Sequence, residues 1–122
     1  MARILIVDDE PDIVEAVKMR LENYGYDIIK AINGLEAIEK SKTEKPDLII
    51  LDVMMPGLDG FEVCRRIRHD PETSSIPIIF LTVAGGAEHR QRGLQAGAQV
   101  YIAKPFESEI LVDEVKKLLK EQ

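Results

Sequence analysis

Leu48-Ile49-Ile50-Leu51-Asp52 is the stretch that decides the fold. Its apolar run is too short for a helix and shows none of the alternation of a strand with one wet face. Such a run is a strand covered on both sides, as in a parallel sheet between helices. Asp52 then stands at the carboxyl end of that strand, where open parallel sheets build their sites. Working outward, Ile4-Leu5-Ile6-Val7 and Ile78-Ile79-Phe80-Leu81 repeat the pattern. Two weaker runs, Tyr26 to Lys30 and Val100 to Ala103, read as a more exposed strand and a fifth partner.

Helical spacing fills the gaps. Pro11 sits at a helix start, Ile13, Val14, Val17 and Leu21 share a face, and Gly25 is the stop. Leu35 to Lys42 is entered from Asn33-Gly34 and closed before Pro46. Phe61, Cys64 and Ile67 mark a third helix, and Ala87 to Ala96 a fourth that stops at Gly97. Ser108 is the expected N-cap of a fifth, with Ile110, Leu111, Val115, Leu118 and Leu119 facing inward. Strand and helix alternate five times. This predicts a (βα)5 α/β protein: an open parallel five-stranded sheet, doubly wound into a flavodoxin-like three-layer sandwich with right-handed crossovers.

The 122 residues carry 16 Lys+Arg against 22 Asp+Glu, a net charge of −6. That length suits one domain, residues 1–122, with no linker or repeat. The acidic balance argues against a nucleic-acid groove, which needs a positive field. A lone Cys64 permits no internal disulfide and suits a reducing, cytoplasmic setting. The chain has neither a stretch near the ~20 apolar residues of a membrane span nor a signal peptide before its first strand-like run, so no membrane partner is expected.

The residues at the carboxyl ends of the strands are chemically telling as a set. Asp8-Asp9-Glu10 stand after the first, Asp52 after the third, Thr82 after the fourth and Lys104-Pro105 after the fifth. Singly, each has a plain reading as a helix cap, a solvated turn or a surface amine. Together they bring carboxylates, a hydroxyl and an amine to one sheet edge. Clustered carboxylates repel unless a cation neutralises them, and an all-oxygen site suits Mg²⁺. A carboxylate beside Mg²⁺ can act as a nucleophile and form an aspartyl phosphate. Thr82 and Lys104 supply the hydroxyl and positive charge that phosphoryl oxygens need.

These residues carry a resemblance to a known family. Val7-Asp8-Asp9-Glu10-Pro11, Leu51-Asp52-Val53-Met54-Met55-Pro56-Gly57 with Asp59-Gly60, Leu81-Thr82, and Lys104-Pro105-Phe106 resemble, in order and over the whole chain, the response-regulator receiver domain of two-component signalling, of the chemotaxis-regulator type. The resemblance implies that Asp52 is the phosphoacceptor, that Asp9 binds Mg²⁺ directly and that Asp8 is positioned through metal-bound water. It implies the Met54 backbone carbonyl as a further ligand, Lys104 paired with the phosphoryl group, and Thr82 bonded to it in the active state. It also implies a cis Lys104–Pro105 bond and Tyr101 as the aromatic switch, entering space that Thr82 vacates. The implied partners are a sensor histidine kinase or phosphotransfer protein and a downstream effector domain or protein. The activity is that of a signalling phosphoprotein assisting its own phosphorylation and dephosphorylation.

Departures from the family pattern are Val83 after the switch threonine, Met54 and Ala84 at the positions that tune phosphate lifetime, and Gln99-Val100 where dimer-forming members carry acidic residues. The segment Cys64 to Pro71 with Ile76-Pro77 looks more like receivers attached to diguanylate cyclases or hybrid kinases. Rival readings are a flavodoxin-like electron carrier, a Mg²⁺-dependent phosphatase and an unphosphorylated docking module. The first lacks a hydroxyl-rich loop after strand one, and the second lacks an Asp two residues after the nucleophile, where Met54 stands. Elsewhere the plain readings lead: Cys64 a core thiol, His69 and His89 surface residues, and Arg65, Arg66 and Arg68 a solvated helix face. Asp59 is a turn or cap, and Lys116, Lys117 and Lys120 complement the last helix dipole.

Overall fold

In the computed structural model, which describes residues 2–120, strands β1 (Arg3–Val7), β2 (Asp27–Ala31), β3 (Leu48–Leu51), β4 (Ile78–Thr82) and β5 (Val100–Ala103) alternate with helices α1 (Pro11–Glu22), α2 (Gly34–Thr43), α3 (Gly60–His69), α4 (Ala87–Ala96) and α5 (Ser108–Leu118). The strands pair in parallel in the order β2-β1-β3-β4-β5. This is the expected five-stranded doubly wound sheet.

The unbroken apolar runs have a direct cause. Successive side chains of a strand point to opposite faces, and both faces are covered. Leu5, Val7, Ile49 and Leu51 pack with Ala37, Phe61, Cys64, Ile67 and Ala96 from α2, α3 and α4. Ile4, Ile6, Leu48 and Ile50 pack with Val14, Val17, Leu21, Leu111, Val112 and Val115 from α1 and α5. The edge strand β2 is more exposed, and its pairing of Arg3 with Asp27 through Val7 with Ala31 sets it one residue later than expected. Tyr26 is instead buried against the α1 and α5 layer.

Register sets the site. Val7 pairs with Leu51, Leu51 with Phe80 and Thr82 with Ala103. Asp8, Asp52, Thr82 and Lys104 therefore end neighbouring strands together. The Asp52 N–H donates to the Val7 carbonyl at 3.0 Å, and the Lys104 N–H to the Thr82 carbonyl at 2.7 Å. The Lys104–Pro105 peptide bond is cis.

Helix starts obey local chemistry with one correction. The Asn33 side chain accepts from the Glu36 N–H at 2.8 Å, and that of Asp59 accepts from the Glu62 N–H at 2.9 Å. Ser108 is not an N-cap. It is the first residue of α5 and Glu107 takes the cap position, because the Ile110 N–H already donates to the Glu107 carbonyl. Ile110 is accordingly turned outward and exposed, while Leu111, Val112 and Val115 are buried. Lys116 and Lys117 lie in the last turn, and Lys120 lies beyond the helix.

Arg68 is the clearest departure from the expected surface patch. Arg65 and Arg66 do remain on the surface, each bonded to Glu62 at 3.0 Å. Arg68 instead spans elements. Its Nε donates to the Gly97 carbonyl at 2.8 Å and its Nη1 to the Ile76 carbonyl at 2.6 Å. Its Nη2 donates to Gln99 Oε1 at 2.9 Å, and that same oxygen accepts the Ile78 N–H at 2.7 Å. Gly97 closes α4 with a φ of 117°, in the left-handed region, and leaves the space that the Arg68 stem occupies. Cys64 is a core thiol, as expected. Burial pushes its pKa up to about 11, and its Sγ donates to the Ala96 carbonyl at 3.4 Å. His89 is half-buried rather than free at the surface. It stacks on Phe61 with ring centroids 6.5 Å apart, and its Nδ1 pairs with the Gly85 carbonyl at 3.0 Å.

Candidate functional site

The Asp8 and Asp52 side chains are 4% and 3% exposed, at the carboxyl ends of β1 and β3. Their environments differ. Asp8 Oδ1 accepts the Glu10 N–H at 3.0 Å, and its Oδ2 accepts from Lys104 Nζ at 2.9 Å. Asp52 Oδ1 accepts the Met54 N–H at 3.2 Å. Burial pushes the Asp52 carboxyl above its ordinary 3.8. The Asp8 charge adds to that rise, while the Thr82 hydroxyl, Lys104 and the Met54 N–H oppose it. Asp8 thus has a buried cation at hand, and Asp52 is the incompletely compensated carboxylate of the pair.

A third carboxylate joins them. Oxygens of Asp8, Glu10 and Asp52 lie within 4.8 Å of one another, and Glu10 Oε1 stands 4.0 Å from Lys104 Nζ. The sequence places Glu10 in the acidic run after the first strand but gives it no separate role. Asp9 lies outside this group. It is exposed and lines, with Asp8, Pro11, Val14 and Lys30, the groove beside α1. The Met54 side chain is 58% exposed, two residues beyond Asp52. Oxygen donors alone, in a cluster whose buried carboxylates repel each other, fit a hard cation such as Mg²⁺.

Thr82 and Tyr101 are linked through one residue. Thr82 Oγ1 accepts the Ala84 N–H at 3.1 Å, and the Tyr101 hydroxyl donates to the Ala84 carbonyl. Tyr101 is 4% exposed and packs 5.7 Å from the Phe80 ring, centroid to centroid. The Tyr101 ring is thus inward in this structure while Thr82 Oγ1 accepts the Ala84 N–H.

Fold and pocket together define a doubly wound α/β protein with an acidic, oxygen-only site, faced by a buried lysine and a threonine, at the carboxyl edge of its sheet. Known proteins place it further. The model of the response regulator receiver domain family matches residues 4–116. Protein PilH of Pseudomonas aeruginosa is 39% identical over 119 residues, covering 98% of each chain. The DNA-binding dual master transcriptional regulator RpaA of Synechocystis is 42% identical over 120 residues, which are 98% of this chain and 50% of RpaA. The chain therefore spans about half the length of RpaA and nearly all of PilH. Among solved structures, the chemotaxis protein CheY4 of Vibrio cholerae superposes with a TM-score of 0.90 at 35% identity, over 97% of this chain and 98% of that one. The chain belongs to the response regulator receiver domain family. Its relatives are signalling proteins of two-component systems.

Proposed function

We propose that residues 1–122 act as one receiver domain, a cytoplasmic signalling switch thrown by phosphorylation of Asp52. The observation that carries this reading is the buried, incompletely compensated Asp52 carboxylate at the end of β3, with Asp8, Thr82 and Lys104 around it. A desolvated carboxylate held in one geometry is a prepared nucleophile. The donor is a phosphohistidine of a sensor kinase or phosphotransfer protein. One Asp52 oxygen forms the new O–P bond as the P–N bond breaks, and the imidazole leaves with the electron pair of that bond and takes up a proton. Phosphoryl transfer needs positioning and charge stabilisation above all, and this chain's residues supply both.

Asp8, Asp9, Asp52 and the Met54 backbone carbonyl are the groups that would hold Mg²⁺, with Glu10 beside them. When bound, Mg²⁺ neutralises charge on the carboxylates and phosphoryl oxygens. Lys104, now on Asp8 at 2.9 Å, turns its charge to the phosphoryl oxygens. The Thr82 hydroxyl donates to them as well. A moving Thr82 releases or drags Ala84, whose carbonyl holds the Tyr101 hydroxyl. The change thereby reaches the α4–β5–α5 face, where a downstream effector domain or protein reads it. This domain itself contacts neither nucleic acid nor membrane. A flavin carrier has no support, because Asp8-Asp9-Glu10 repels the cofactor's phosphate.

Incubation with a small acyl phosphate and Mg²⁺ should add one acid-stable, base-labile phosphoryl group, and Asp52→Asn should abolish it. Equal labelling of the variant overturns the assignment. Thr82→Ala should still be labelled, but its α4–β5–α5 amide resonances should no longer shift on labelling.

A further inference from the structure

We infer that Gly93 is a positioning residue for Tyr101: its missing side chain opens the socket that holds the ring inward. A Cβ built at this position would lie 2.6 Å from Tyr101 Cδ2, 2.9 Å from its Cε2 and 3.1 Å from Phe80 Cδ2. Real Cβ atoms essentially never come within 3.0 Å of such atoms, so even alanine would compete with the Tyr101 ring for the same space. The backbone gives no other reason for glycine here. Gly93 is not among the positive-φ glycines. It lies inside α4, where glycine is the least favourable residue after proline. The helix tolerates a poor helix former at a position where a larger residue would meet Tyr101.

The other walls of the socket are also in place. Phe80 packs on the ring, the Ala84 carbonyl accepts the hydroxyl, and Arg90 Nη1 lies 3.5 Å from the Tyr101 carbonyl. Resting on the proposed phosphoswitch, the inference assigns this chain a switch already biased toward the inward arrangement. Phosphorylation then locks Thr82 and Ala84 around a ring that has arrived, and the resting protein already shows effectors much of the inward face. A ligand or modification shifts a two-state element only by its differential preference for the two states. A strongly inward resting bias therefore narrows the response, and a residue at position 93 that disfavours the inward ring should widen it.

The test uses tyrosine emission, since the chain has three tyrosines and no tryptophan. In a Tyr24→Phe background the remaining Tyr26 and Tyr101 are both buried, so acrylamide should quench little. Gly93→Ala should make one of the two accessible, raising the quenchable fraction from near zero to about half in the unphosphorylated protein. Unchanged protection in folded Gly93→Ala overturns the inference. Should Gly93→Ala fail to fold, Gly93→Ala combined with Tyr101→Ala decides: a folded double variant supports the socket, and an unfolded one overturns it. Labelling of the parent protein with an acyl phosphate, run alongside, keeps the two claims apart. An unlabelled parent overturns the phosphoswitch, whereas a labelled parent with an unmoved Tyr101 in Gly93→Ala overturns only the socket.

Discussion

Lys104 Nζ donates to Asp8 Oδ2 at 2.9 Å, joining residues 96 apart in the chain, and both side chains are buried. This pair makes the acidic pocket asymmetric. Asp8 takes the direct bond from the buried lysine, and Asp52 is left raised by burial and by Asp8. That asymmetry, with the contacts around it, sets how variants of the site should behave.

Without metal, Asp52 should cost stability at neutral pH. Its folded pKa is raised above 3.8, so the folded state holds this proton more tightly than the unfolded chain. The protonated group favours folding below the unfolded value, and that contribution is lost as pH rises through the raised folded value. Asp52→Asn should therefore melt higher than the parent at pH 7, by roughly 1–2 kcal/mol or several degrees. The gain should vanish below about pH 3.8. Parallel melting curves at every pH would show that burial of the charge costs nothing.

Magnesium should raise the melting temperature of the parent by mass action, by about 2.7 kcal/mol at a hundredfold excess over Kd. Asp9→Ala should weaken binding about tenfold or more, the scale seen for groups that hold a metal site together. Glu10→Gln keeps its shape, removes one charge from the cluster and should weaken binding less. Titration calorimetry of the two variants ranks them, and the reverse order would make Glu10 the ligand and Asp9 a bystander.

The lifetime of the phosphorylated state should be limited by Met54 and Ala84. Hydrolysis needs a water in line with phosphorus, opposite the Asp52 oxygen. Neither side chain can orient a water by a strong hydrogen bond, and Met54 stands exposed two residues beyond Asp52. Met54→Asn with Ala84→Glu should shorten the phosphoryl half-life severalfold or more while leaving Mg²⁺ affinity unchanged. Decay at the parental rate would mean that water already reaches phosphorus freely past Gly85 and Gly86.

Arg68→Ala should destabilise the fold by roughly 2–3 kcal/mol, because it strands the carbonyls of Gly97 and Ile76. Arg68→Lys should recover less than half of that, since an ammonium lacks the planar fork that reaches the carbonyls of Gly97, Ser74 and Ile76 and the Gln99 side chain at once. Urea unfolding measures both variants. Full recovery by lysine would reduce the guanidinium to a point charge.

How legible these features are depends on how local their causes are. Ile4 to Val7, Leu48 to Leu51 and Ile78 to Leu81 declare themselves because burial on both faces removes polar alternation, a property written in consecutive residues. Asp52, Thr82 and Lys104 are legible as a set because a parallel sheet brings its carboxyl ends to one edge whatever the details. Glu10 is legible only as a member of the acidic run after the first strand, because its nearness to Asp52 is a contact across the sheet. Ser108 looks like a cap by residue type, yet the hydrogen bond from Ile110 to Glu107 begins the helix one residue earlier.

By itself the sequence determined the alternation of strands and helices, the double burial of the sheet and the identity of the residues at its acidic edge. All of these arise from short-range pattern and residue chemistry. Only the tertiary structure decided that Arg68 ties α3 to the end of α4, that Lys104 bonds Asp8, and that Tyr101 lies inward against Gly93. Each of these depends on distances between side chains far apart in the chain. Such distances are set by how whole layers pack, and no window of consecutive residues contains them.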